Sequence, residues 1–268
     1  MAHTVQMAAP GLDDESPAAA SPPAGAVTVR HLTKSFAVGS PPVLLDVDLS
    51  VTPGEFVCLL GASGCGKSTL LNILAGLEQP TTGTVDVVGS RVALMFQESA
   101  LFPWLTAAGN IDLALRLAGV ARQERPARVE DLLRRVHLGG QGDKRVHELS
   151  GGMRQRVALA RALAQDAPVL LMDEPFAALD AITRDVLHDE LSTIWRDTGL
   201  TVIFVTHNVR EAVRLGQRVL LMSSRPGRVV AEWQIELDEP RAMDTPAVAE
   251  LASTIPAQLR EEIRRHAG

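Results

Sequence analysis

Phe56-Val57-Cys58-Leu59-Leu60 runs apolar into Gly61-Ala62-Ser63-Gly64-Cys65-Gly66-Lys67-Ser68-Thr69, and Leu70-Leu71-Asn72-Ile73-Leu74 follows at once. A buried strand, a glycine-rich turn and a helix therefore come in the order that a phosphate cradle requires. Glycine lets the backbone curl until successive N–H groups face one anion, and the positive end of the next helix dipole is aimed at the same point. Lys67 is then placed to reach terminal phosphates, and the Ser68 hydroxyl suits a magnesium ion held between them. With both flanks present, Gly-x4-Gly-Lys-Ser is far more specific than an isolated glycine-rich turn.

Outward from this stretch, 268 residues with 46% hydrophobic content are enough for one sizeable core, here one domain with an inserted subdomain. The net charge of −6, with no basic run to offset it, argues against nucleic acid as a partner. No apolar stretch approaches the length of a membrane span, so membrane association is expected through a partner. Two cysteines are too few for a disulfide framework and fit a reducing compartment. Cys58 reads as a core residue. Cys65 is either a variable loop position or, near a helix start, a thiol of lowered pKa that alkylates readily.

Residues 1–26 are rich in Ala, Pro and Ser, lack the early positive charge of a targeting peptide, and read as a disordered tail. Short β-type runs follow at Val27 to Leu32 and Val43 to Val51, around a turn with Gly39, Pro41 and Pro42. Phe36 in that turn region is a candidate to stack on a purine base; the alternative is a ring that plugs the sheet. Thr84 to Val88 and Arg91 to Phe96 read as strands, the second ending in Gln97 at the edge where α/β proteins place ligands. A helix is expected from an N-cap at Thr106, and another carries Val129, Leu132, Leu133 and Val136 on one face. Together these make an inserted helical subdomain.

Leu149-Ser150-Gly151-Gly152-Met153-Arg154-Gln155 then leads to a helix over Arg156 to Gln165. Ser150 is a good N-cap and the glycines leave amides bare, which gives a second anion site at a helix start. One nucleotide has no use for two such sites in one subunit. A head-to-tail pair resolves this, each subunit offering Ser150, Gly151 and Gly152 to the nucleotide in the other's cradle. Val169-Leu170-Leu171-Met172-Asp173-Glu174 is a buried strand that ends in two acids. Asp173 suits magnesium and Glu174 the polarising of an attacking water. Ala177 to Asp180 turns into a helix over Ala181 to Trp195, and Thr201 to Thr206 is a strand ending in His207, placed to hydrogen-bond a γ-phosphate. Arg218 to Met222 and Arg228 to Trp233 complete the strands. Beyond residue 236 a polar stretch leads to a solvated terminal helix with Leu259 and Ile263.

The cradle, Gln97, Leu149 to Gly152, Val169 to Glu174, Ala178-Leu179-Asp180 and His207 together resemble the nucleotide-binding subunit of an ABC transporter, over roughly residues 27–235. The resemblance implies an α/β P-loop NTPase core, mainly parallel sheet flanked by helices. It adds an N-terminal antiparallel β subdomain and an inserted α-helical subdomain at about 99–165, with residues 236–268 as an extension. It implies ATP and Mg2+ as ligands, Gln97 as a residue that senses magnesium and the coupling contact, and Asp180 as one that crosses a dimer interface. The family usually has an aromatic, commonly Tyr, under the adenine; this chain has no Tyr, which leaves Phe36. Met153-Arg154-Gln155 also departs mildly from the commoner Gln-x-Gln. Phe96 to Thr106, Asp173 to Arg184 and Ser224-Arg225-Pro226-Gly227-Arg228 are similar to the importer group that serves nitrate, aliphatic sulfonates and taurine, with Trp104 near the groove for the permease. Implied partners are a homodimer mate or paired ATPase subunit, integral membrane permease subunits and a solute-binding protein. The implied location is peripheral, on the cytoplasmic face of the cell membrane. A soluble ABC ATPase of another process, or a cassette for a different solute, is the alternative.

Overall fold

The computed structural model describes residues 23–37, 39–89 and 91–237, together with Arg241, Val248 and Ile255. The expected tail and the terminal helix carrying Leu259 and Ile263 lie outside the described residues.

β1 (Val27–Lys34) and β2 (Leu44–Val51), which bury residues at intervals, and the mostly exposed β4 (Thr82–Val87) form a small antiparallel sheet in the order β2-β1-β4. The larger sheet has the order β5-β6-β7-β3-β8-β9, built from β3 (Phe56–Gly61), β5 (Val92–Met95), β6 (Val169–Asp173), β7 (Thr201–Thr206), β8 (Arg218–Met222) and β9 (Val229–Gln234). All pairs are parallel except β8 with β9. The central strands read as continuous apolar runs because both faces are covered. Along β3, Phe56, Cys58 and Leu60 enter one core while Val57 and Leu59 enter the other. The side-chain period of two sorts them.

Helix α1 (Lys67–Leu74) packs Leu70, Leu71, Ile73 and Leu74 into the core shared with the antiparallel sheet. The opposite core receives α2 (Ala107–Leu117), α3 (Arg125–Arg135), α4 (Gly151–Leu163), α5 (Ala181–Thr198) and α6 (Val209–Leu215). Phe204 lies at the middle of that core, its ring centroid 6.0 Å from both Phe56 and Phe176. Thr106 caps α2 as expected, accepting the Gly109 N–H at 3.0 Å.

Three expectations are corrected. The helix expected over Arg156 to Gln165 begins at Gly151, because the Ser150 hydroxyl accepts the Met153 N–H at 3.2 Å and starts the helix directly behind it. Helix α5 runs on past Trp195 to Thr198, where Gly199 ends it in a left-handed turn at φ 64°. Helix α6 was not expected at all; the Asn208 side chain caps it by accepting the Arg210 N–H at 3.0 Å. Beyond residue 236, Leu237 is half-buried and Arg241, Val248 and Ile255 are buried, the last two at 1% and 0% exposure. The Arg241 guanidinium donates to the carbonyls of Val213, Gly216 and Ile235, which anchors this segment to the end of α6.

Candidate functional site

Gly64 and Gly66 have φ of 77° and 99°, a left-handed backbone that glycine adopts without strain, and Gly66 is the N-cap of α1. A Cβ on Gly66 would come within 2.6 Å of Leu44 Cδ2, so the antiparallel sheet presses against the cradle and leaves room for hydrogen alone. From the other side Gly227 lies so close to the Cys65 carbonyl that no side chain fits. Gly227 is itself fixed to the start of β2, donating to the Val43 carbonyl at 2.8 Å and accepting from the Leu45 N–H at 3.0 Å. The cradle is thereby held by two sheets.

Lys67 is buried at 5% exposure, and its Nζ donates to the carbonyls of Gly61 at 2.8 Å and Ala62 at 2.9 Å. The ammonium thus braces its own loop, with Glu174 Oε1 4.0 Å away. Cys65 is buried, and that burial pushes its thiol pKa up against the opposing pull of Lys67. This overturns the reading of Cys65 as an activated thiol.

β6 and β7 end side by side, Asp173 pairing with Val205, so both strands deliver polar groups to one carboxyl edge. Burial raises the Asp173 carboxyl above the usual aspartate range, and the Ser68 hydroxyl hydrogen-bonded to it opposes the shift. Glu174 turns back at φ 42°, a strained conformation for a residue with a side chain, and is held there by its N–H on the Val205 carbonyl at 3.0 Å. Its Oε2 accepts from His207 Nδ1 at 2.9 Å, while the His207 ring stays 62% exposed toward open space. Lys67, Ser68, Asp173, Glu174 and His207 therefore converge.

The remaining expected residues sit elsewhere. Gln97 follows β5 and is exposed; its carbonyl accepts from Gln155 Nε2 of α4 at 3.0 Å. Ser150, Gly151 and Gly152 begin α4 and lie against the start of α5, where a Cβ on Gly152 would come within 2.6 Å of Thr183 Cγ2. Asp180 caps α5, accepting the Thr183 N–H at 2.9 Å; that bond lowers its carboxyl pKa. No hydrogen bond or ion pair among the described residues joins Ser150 to Gly152 with the cradle. Phe36 is 62% exposed, and Lys34 Nζ lies 5.0 Å from its ring centroid while bonding Glu78 at 2.6 Å and the Gln79 carbonyl at 2.8 Å. One ring face is thus backed by a fixed cation. Lys34 and the buried pair His188 and Glu211 escaped the sequence reading. Only Glu211 had a usable signal, since an asparagine cap at 208 with glutamate three residues on marks a helix start.

The sequence profile described as ABC transporter matches residues 44–177. The taurine import ATP-binding protein TauB of Burkholderia pseudomallei strain 1710b is 50% identical over 205 residues, 74% of this chain and 79% of that protein. The uncharacterized ABC transporter ATP-binding protein MJ0412 of Methanocaldococcus jannaschii is 42% identical over 244 residues, 88% of this chain and 91% of its own length. Among solved structures, the dimeric post-hydrolysis cassette MJ0796 bound to ADP and Pi superposes with a TM-score of 0.68 at 33% identity, covering 79% of this chain and all of that one. On the cradle, the paired acids and these relationships, the chain belongs to the ABC transporter family and is one of its ATP-hydrolysing subunits.

Proposed function

We propose that this chain drives an importer for a small solute that carries an anionic group, with taurine, an aliphatic sulfonate or nitrate as the solute class. Its relatives named for taurine import, from 42% to 50% identical in several bacteria, support that reading. The cassette would span residues 27–235, with the helical subdomain at about 99–165 and residues 236–268 as an extension.

The observation that carries the proposal is the meeting of Lys67, Glu174 and His207 at one sheet edge. Amides of residues 61–69 receive the phosphates, Lys67 turns from its loop carbonyls to the terminal phosphate, and Phe36 stacks on adenine. Glu174 accepts a proton from the attacking water, and His207, oriented by Glu174, donates to the γ-phosphate. Ser68, Gln97 and Asp173 offer a hydroxyl, an amide oxygen and a carboxylate, and the Ser68 to Asp173 hydrogen bond already gathers two of these hard donors. They would hold Mg2+, whose charge offsets that on the phosphates.

Ser150, Gly151 and Gly152 have no partner phosphate in their own chain, so a second cassette, paired head to tail with Asp180 at the seam, supplies it. The dimer would work on the cytoplasmic membrane face against permease subunits, with a solute-binding protein on the far side. A groove of about 710 Å³, lined in part by Phe96, Phe102, Leu113 and Leu117 and flanked by exposed Trp104, suits a permease segment. Reconstitution with a membrane permease of this importer group, followed by ATP turnover with taurine, alkanesulfonate or nitrate receptor complexes, tests this. Stimulation by one of the three is expected. Turnover indifferent to the permease and to all three solutes would overturn the importer reading.

A further inference from the structure

One buried group that the reaction does not itself use is His188, on the inner face of α5 at 0% exposure. Its Nε2 donates to Glu211 Oε1 at 2.6 Å. Glu211 Oε2 accepts the Thr206 hydroxyl, and the Thr206 oxygen accepts the Asn208 N–H at 2.9 Å. Thr206 and Asn208 are the two residues that flank His207. The same imidazole packs edge-on against Phe176, 5.6 Å between ring centroids, two residues beyond Glu174. Phe176 is further tied to α5 through its carbonyl, which accepts from Arg184 Nε at 3.3 Å. A single side chain thus touches the segment carrying Glu174 and the network carrying His207.

We propose that His188 is a positioning residue for hydrolysis, acting through Glu211 and Thr206 to fix His207 against Glu174. The proposal rests on the reading of His207 as the γ-phosphate contact. The physical case is that His207 itself is largely exposed and has one described hydrogen bond, to Glu174, so its own surroundings constrain it weakly. Its backbone must be set from behind. A buried carboxylate that takes both an imidazole N–H and a hydroxyl leaves the Thr206–Asn208 turn little freedom, because an unpaired buried donor or acceptor is costly. Of the charges around it, Asp185 Oδ1 lies 3.9 Å from His188 Nδ1 and is itself bonded by Arg214 at 2.8 Å, and Asp189 is bonded by Arg214 at 2.7 Å, so Glu211 is the carboxylate in hydrogen-bond contact with the imidazole.

The test uses the full chain and steady-state ATP turnover. His188→Leu, which keeps apolar bulk and removes the donor, should lower kcat roughly ten- to hundred-fold, the scale of a misplaced reacting group, with KM for ATP nearly unchanged. His188→Gln, whose amide can donate to Glu211, should recover most of the loss. Where His188→Leu does not fold, Thr206→Val breaks the same chain from its other end and should give the same split. The deciding measurement is a double-mutant cycle: in a His207→Ala background the His188→Leu change should cost almost nothing further. Equal losses in both backgrounds, additive within about twofold, would overturn the positioning role while leaving His207 in place. A His207→Ala enzyme with normal turnover would overturn the role of His207 and this proposal together.

Discussion

Replacing Glu174 by Gln separates binding from chemistry. The amide has the shape of the carboxylate and still offers an oxygen to His207, now at 2.9 Å, but it accepts no proton from water. Loss of a positioned general base costs about 10^2 to 10^4 in turnover, or roughly 3 to 5 kcal/mol of barrier. The substitution also removes the charge 4.0 Å from Lys67 Nζ, a pair with side-chain exposures of 20% and 5%. At that separation and an effective dielectric near 20 the attraction is on the order of 4 kcal/mol before desolvation, so the ammonium becomes freer to turn to phosphate. ATP affinity should therefore hold or rise while hydrolysis collapses. Equilibrium binding of a fluorescent ATP analogue, measured beside phosphate release on the same preparation, reads both. Turnover within about tenfold of the parent would take Glu174 out of the base role. Affinity lost in step with turnover would show that the carboxylate is needed to shape the cradle, against the geometry argued above.

Asp173→Asn should stabilise the fold and abolish the activity. Burial raises the Asp173 carboxyl above 3.8, so its contribution to folding is full below that value and is lost as pH rises through its folded value. Thermal melts should show the variant gaining more at pH 7 than at pH 4; an equal gain at both would refute the account. Gly227→Ala drives a methyl into the Cys65 carbonyl, with Leu44 and Met222 side chains also at 3.1 Å. Overpacking of about 1 to 3 kcal/mol should lower Tm by several degrees and weaken ATP binding together; an unchanged melt with unchanged affinity would sink this. Cys65, buried and raised in pKa, should react with a thiol reagent only slowly in the folded chain and quickly in denaturant, with no plateau of rate below pH 8.

How much of this was legible in the sequence differs by element. The apolar runs of β3, β6 and β7 were plain because strands covered on both faces cannot hide their composition, and a parallel sheet sends their ends to one edge. Asp173, Glu174 and His207, at the ends of such strands, are therefore legible from sequence as neighbours at that edge. Helix α6 was missed because seven residues give too little periodicity to detect, although its cap was readable. The start of α4 was set five residues late because two glycines weigh against a helix, and the serine cap outweighs them.

Local order alone dictated the cradle, since a strand, left-handed glycines and a helix start need nothing from distant residues to curl round an anion. Folding decided what lies behind it: Gly227 against Cys65, Lys67 turned onto its own loop, His188 paired with Glu211, and Val248 and Ile255 in the core. Each of these joins residues whose neighbours in sequence carry no trace of the contact. Burial, which sets the cost of leaving a polar group unpaired, exists only once the layers have packed.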